Sequence, residues 1–219
     1  MHAIYNFVSG PMVLISFLVF GAGALYRLVS MALLAKKRDG VVYAYTEGRF
    51  ALRSILHWIT PFASENMRNN PMMTVAAFAF HIGLFLVPLF LFAHIVLLKE
   101  AFNLSWWYLP DPAADVLTVV VILCCIYFLQ RRILRPEVRY LTSVTDYLIL
   151  AGVAMPFVTG FWAMRQWPGY DWMLIAHMFS GEIILMMIPF TKLSHMFFFP
   201  ATRGYMGSEF GAVRRAKDW

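Results

Sequence analysis

The chain has 219 residues, 61% hydrophobic and 14% charged, with a mean hydropathy of +0.66 and a net charge of +6. Soluble domains carry about a quarter charged residues, so this composition excludes an ordinary soluble enzyme and indicates an integral membrane protein. The positive charge is a topology signal first, and nucleic-acid binding explains it poorly.

A helix needs about 20 apolar residues to cross roughly 30 Å of hydrocarbon, and in lipid its backbone groups must bond within the segment. Five runs meet this, predicting an all-α five-helix bundle forming a single membrane domain over 1–219. The first, 11–34, is charged only at Arg27; the first 26 residues of the chain lack the basic start and small-residue cleavage site of a signal peptide. A long polar segment, 35–70, follows. Within it RFALRSILHWITPF, 49–62, sets Phe50, Ile55, Leu56, Ile59 and Phe62 at helical spacing beside Arg49 and Arg53. That pattern predicts an amphipathic helix lying along the inner membrane surface.

The second run, 71–98, has no charge and contains Pro88. The loop EAFNLSWWYLPDPAAD, 100–115, is acidic and aromatic, as suits a membrane interface. The third run, 113–130, holds Asp115 and the adjacent Cys124 and Cys125. The fourth, 147–164, contains Pro156, and the fifth is 172–199.

Fifteen of the eighteen lysines and arginines fall on one side of this arrangement. They are Lys36, Lys37, Arg38, Arg49, Arg53 and Arg68 after the first helix; Arg131, Arg132, Arg135 and Arg139 after the third; and Lys192, Arg203, Arg214, Arg215 and Lys217 at the end of the fifth. Lys99 and Arg165 lie opposite. The positive-inside rule makes the rich side cytoplasmic, with the N-terminus periplasmic and the C-terminus cytoplasmic in a bacterial inner membrane.

Two cysteines are too few for an iron–sulfur cluster and lack the C-x-x-C-H spacing of covalent haem; they read as small apolar fillers. Phosphate loops, zincin motifs and nucleophile elbows are absent. Histidine carries the signal instead. Four of six, His81, His94, His177 and His195, lie within the second and fifth apolar runs. In one continuous helix the 18 residues from His177 to His195 are about five turns, placing both on one face about 27 Å apart. The second helix runs the other way, so depth pairs His94 with His177 outside and His81 with His195 inside. Two bis-imidazole pairs at two depths are what two stacked b haems require. His81 and His94, 13 residues apart, differ by about 220° on an ideal helix, a mismatch that a kink at Pro88 would relieve. Gly181, one turn beyond His177, would let a flat macrocycle approach the backbone. A membrane histidine that only hydrogen-bonds a neighbouring helix is the competing reading for any one of them.

The motif H-x3-G-x7-PFTKLSH, from His177 through Gly181 to His195, resembles the last helix of respiratory nitrate reductase gamma subunits, five-helix dihaem cytochromes b; FHIGLF, 80–85, followed by His94 resembles their second helix. The resemblance implies the same ligand pairing that depth gives. The histidines of the second helix lie further apart than in that family, and the 35–70 segment is longer. The whole chain, including SGPMVLISF and RRILRPEVRYLTSVTDY, more closely resembles the cytochrome b subunits of transmembrane redox complexes in sulfate-reducing bacteria. That resemblance implies a cytoplasmic iron–sulfur partner of heterodisulfide reductase type and a periplasmic multihaem cytochrome c.

Other intramembrane polar residues admit two readings each. Glu182 would carry protons to a menaquinone site or stay neutral and bonded to another helix. Arg27, Lys192, Arg131 and Arg132 would pair with haem propionates or snorkel to the surface. The expected activity is electron transfer across the membrane by an oxidoreductase subunit rather than a stand-alone enzyme. The rivals are a haem-free transporter using these histidines, against which the absence of inverted repeats counts, and a quinone-reactive anchor.

Overall fold

A computed structural model describes Met1–Asp218, and all regular structure among these residues is helical. The helices are α1 (His2–Phe7), α2 (Val13–Arg38), α3 (Gly48–Ile59), α4 (Glu65–Asn69), α5 (Pro71–Phe90), α6 (Phe92–Phe102), α7 (Asp111–Leu134), α8 (Pro136–Leu141), α9 (Val144–Met164), α10 (Tyr170–Met187) and α11 (His195–Ser208). Five helical stretches are long and apolar enough to span a membrane: His2–Arg38, Pro71–Phe90, Asp111–Leu134, Val144–Met164 and Tyr170–Phe190. The protein is a multi-pass membrane protein by that measure.

Prolines account for the largest differences from the sequence-based bounds. The first span does not start at Pro11. One wide π-turn, Val8–Met12, takes up the proline and joins α1 to α2 without a break. The second run, expected as one helix over 71–98, is two. Leu91 is extended (φ −71°, ψ 130°) and separates α5 from α6, three residues after Pro88. The fifth run, expected as one helix over 172–199, is also divided. α10 tightens into a 3₁₀ turn at Ile188–Phe190, Thr191 is extended (φ −122°, ψ −173°), and a second 3₁₀ turn, Lys192–Ser194, leads into α11. His195 therefore opens a different helix from the one that carries His177. The premise that both lie on one face of an unbroken helix fails, because Pro189 has no N–H for the helical ladder and the chain leaves it at Thr191.

The third and fourth spans exceed their expected bounds, 113–130 and 147–164. α7 continues through Arg131 and Arg132 to Leu134. α9 starts at Val144, where Ser143 and Asp146 close a capping box that satisfies exposed amides of the first turn.

The chain divides into two compact units, residues 75–181 and residues 1–74 with 182–219. In the first, Val87 of α5, Val121 and Cys125 of α7 and Phe157 of α9 form the core, with Phe80, Leu84, Leu117, Ile122, Leu150 and Ala154 around them. Cys125 acts here as a small core side chain. In lipid such contacts gain close packing more than removal from water. Gly83 permits the approach of α5 to α7, since a Cβ there would collide with the Val121 side chain. At one end of this unit Arg165 pairs with Asp115 at 2.5 Å, tying the end of α9 to the start of α7.

In the second unit α2 packs on the Ile188–Phe190 turn through Gly23, whose Cβ would lie 2.9 Å from the Pro189 ring. α3 packs along α11. A Cβ at Gly207 would sit 2.5 Å from Ser54 Cβ and 2.6 Å from the Phe50 carbonyl oxygen, and one at Gly211 would strike the Phe50 ring. Ser208 donates to the Gly204 carbonyl at 2.8 Å, and its hydroxyl accepts from the Glu47 amide at 3.0 Å. The chain's end folds back onto the same helix: Ser54 donates to Asp218 at 2.5 Å, and Arg203 lies over the Trp58 ring at 4.0 Å. The 49–62 segment is thus helical over most of its length, with its faces divided differently from the expected pattern. Phe50, Ala51, Ser54 and Ile55 turn toward α11, and Leu52, Leu56 and Ile59 are exposed.

Candidate metal centre

Two of the four candidate histidines meet within the 75–181 unit. The rings of His94 and His177 have centroids 5.9 Å apart and planes 14° from parallel. Each ring is held through Nδ1. His94 Nδ1 donates to the Pro88 carbonyl at 2.9 Å, and His177 Nδ1 donates to the Pro156 carbonyl at 2.8 Å. A carbonyl on Nδ1 fixes the tautomer and makes Nε2 the basic nitrogen, the usual second-sphere arrangement of a metal-ligating imidazole.

The break at Leu91 makes this meeting possible. It resets the helical phase between His81 and His94, which an unbroken helix would separate by about 220°. A helix end strands its last carbonyls, and here His94 occupies one of them, that of Pro88. The other partner in the site is close packing. A Cβ at Gly160 would lie 2.7 Å from His177 Nδ1 and 2.8 Å from its Cε1, so only glycine lets the ring lie against α9 and reach Pro156 one turn away. Gly181 faces open space, with nothing within 4 Å of a Cβ built there.

Bonds of about 2.0 Å from each imidazole nitrogen on opposite sides of a single ion put ring centres roughly 6 Å apart. Among the described residues no group of three or more His, Cys, Asp and Glu side chains gathers around a point.

His81 and His195 each donate through Nδ1 to a carbonyl nearby in sequence. His81 Nδ1 donates to the Ala77 carbonyl of its own helix at 2.7 Å, with its ring edge-on to Phe80 at 5.2 Å. His195 Nδ1 donates to the Lys192 carbonyl at 2.9 Å. Both residues are exposed. Lys192 lies in the 3₁₀ turn, beside His195 in sequence, and is exposed. Arg27 stacks its guanidinium over Phe198 at 5.0 Å, with Nε buried and without a hydrogen-bond partner. Arg131 and Arg132 are half-buried in the last turn of α7, where Arg132 donates to the Phe128 carbonyl at 3.3 Å. Glu182 is buried, and neither carboxylate oxygen has a hydrogen-bond partner.

No protein family profile matches the chain. A protein of Nitratidesulfovibrio vulgaris, strain Hildenborough, is 43% identical to it over 215 residues, covering 96% of this chain and 95% of that protein. The chain belongs to the family of that protein. At this coverage the relationship takes in nearly the whole sequence, loops included.

Three parts of the centre escaped the sequence reading. Gly160 left a signal, since a small residue inside a membrane helix marks a close approach, but not which group approaches. The Pro156 carbonyl left none, because a backbone acceptor has no sequence signature. Trp106, in the loop whose aromatic residues suit a membrane interface, also donates its indole N–H to the Leu89 carbonyl at 2.8 Å, a contact with no sequence signature.

Proposed function

We propose that this protein is a dihaem cytochrome b, a subunit that carries electrons across the bacterial cytoplasmic membrane within a respiratory redox complex. The observation that supports this most is the His94–His177 pair, two nearly parallel imidazoles with a metal-sized separation and both Nδ1 protons engaged by carbonyls. His94 and His177 would hold the haem on the periplasmic side, and His81 and His195 the one on the cytoplasmic side. A bound b haem supplies a one-electron couple, and two axial imidazoles leave no open coordination position for a substrate.

Around the haems the chain supplies orientation and charge. The fifteen cations on one side of the spans set the N-terminus outside and the C-terminus inside. α3 lies along the inner surface with Leu52, Leu56 and Ile59 in the lipid boundary, a role supported by their exposure. Arg27, Arg131, Arg132 and Lys192 are the cations at hand for haem propionates. Glu182, buried without a partner, serves proton exchange with menaquinone. The redox partners are a cytoplasmic iron–sulfur subunit of heterodisulfide reductase type and, outside, a multihaem cytochrome c or menaquinol. The source of the relative, a sulfate-reducing bacterium, is in keeping with such a complex.

A pyridine haemochrome assay on the purified full-length protein tests the reading. Two b haems per chain are expected, and a haem-free preparation from cells supplied with haem would refute it.

A further inference from the structure

We infer that the outer loop after α6 is part of the outer haem site, and that Trp106 is a positioning residue for the His94 ligand. This rests on the proposed function and extends it to residues with no metal-binding chemistry of their own. The physical problem lies at the end of α5. Stopping a helix strands its last carbonyls, which must then find donors outside the helical ladder. Leu91 donates its amide to the Val87 carbonyl at 3.0 Å; the next three carbonyls need partners from elsewhere.

Each has one, and the three partners are different in kind. The Pro88 carbonyl accepts from His94 Nδ1 at 2.9 Å, the Leu89 carbonyl from the Trp106 indole at 2.8 Å, and the Phe90 carbonyl from the Leu109 amide at 2.8 Å. The histidine is thus one of three donors that together cap a broken helix, and the loop supplies the other two. Aromatic contacts fasten the loop on both sides of the break. Trp107 stacks on Phe90 at 4.3 Å before Leu91, and Tyr108 lies against Phe92 at 4.9 Å after it.

The orientation of His94 depends on this cap. If the Leu89 carbonyl loses its donor, the cheapest remedy is a change in the turn at Leu91, by resumption of the helical ladder or by entry of water. Either rotates α6 and the ring it carries. His177, held by Pro156 and Gly160 on α9, has no part in that turn. A fault at Trp106 therefore reaches the outer iron from the His94 side alone.

Trp106→Phe removes the indole N–H and keeps an aromatic ring. Low-temperature electron paramagnetic resonance on the oxidised full-length protein reads each low-spin haem separately, with His177→Ala and His195→Ala identifying the two signals. The expected result for Trp106→Phe is an outer signal that is displaced or lost, beside an unchanged inner signal. Trp106→Gln, which restores a side-chain N–H donor, is expected to bring the outer signal back toward its wild-type position. Both signals unaltered in Trp106→Phe, or both diminished together, would overturn the inference while leaving the dihaem reading intact. A wild type without haem overturns both.

Discussion

His94 and His177 differ from His81 and His195 in the carbonyls that their Nδ1 atoms reach. His81 and His195 donate to carbonyls four and three residues back, Ala77 and Lys192. His94 reaches back across the break at Leu91 to Pro88, and His177 reaches from α10 to Pro156 on α9. Those rings are aimed by tertiary structure. The contrast teaches that sequence spacing is a poor guide to a histidine aimed across a helix break. By spacing alone His94 is the weakest of the four. In the structure it belongs to the best-defined pair.

The largest effect that sharpens this comparison is removal of a ligand. His177→Ala should leave one b haem per chain and His195→Ala should also leave one, with different signals surviving, as counted by haemochrome and resolved by electron paramagnetic resonance. Loss of the same haem in both would break the assigned pairing. Next come two glycines that do similar packing for different ends. Gly160→Ala drives a methyl into the His177 ring, so the outer haem should be lost or displaced at little cost to the fold. Gly207→Ala drives one into Ser54 and the Phe50 carbonyl, where α3 backbone must move. Such overpacking costs about 1–3 kcal/mol and should lower the thermal midpoint with both haems retained. Equal haem loss in the two variants would remove the distinction.

The smallest effect is one of pH. Burial lowers the His57 pKa in α3; the Asp218 carboxylate opposes the shift, and Arg68 and Lys217 add to it. A folded-state pKa below the unfolded one favours the neutral ring. The stability it contributes is therefore full above the ordinary value of about 6.5 and is lost as pH falls below it, through the lowered value. Between about pH 7.5 and pH 5.5, a range that brackets that value, the thermal midpoint of the wild type should fall more than that of His57→Gln. An equal fall would assign the pH dependence to other groups.

The helical membrane class and the five spans were legible because hydrocarbon imposes a length and a composition on any segment that crosses it. Pro11, Pro88 and Pro189 were also legible as residues, but proline has several outcomes. Pro11 was absorbed by a π-turn, Pro88 precedes a full break, and Pro189 sits in a 3₁₀ turn ahead of one. Which outcome holds depends on whether other groups can take the freed carbonyls. After Pro88 they are taken by His94, Trp106 and Leu109. The seam of α3 on α11 was hidden for a related reason: Gly204, Gly207 and Gly211 are visible in the sequence, but the helix that fills the space they leave is some 150 residues away.

By itself, then, the sequence determined the apolar solvent, the helical class and the presence of four histidines in two of its apolar runs. The tertiary structure alone decided where the second and fifth runs break, that the His94 and His177 rings come together, that Gly160 packs against His177, and that the loop after α6 caps the end of α5. The physical reason is that a helix propagates by local hydrogen bonds and so is readable locally. Its interruption in an apolar medium is stable only where distant donors satisfy the carbonyls it exposes.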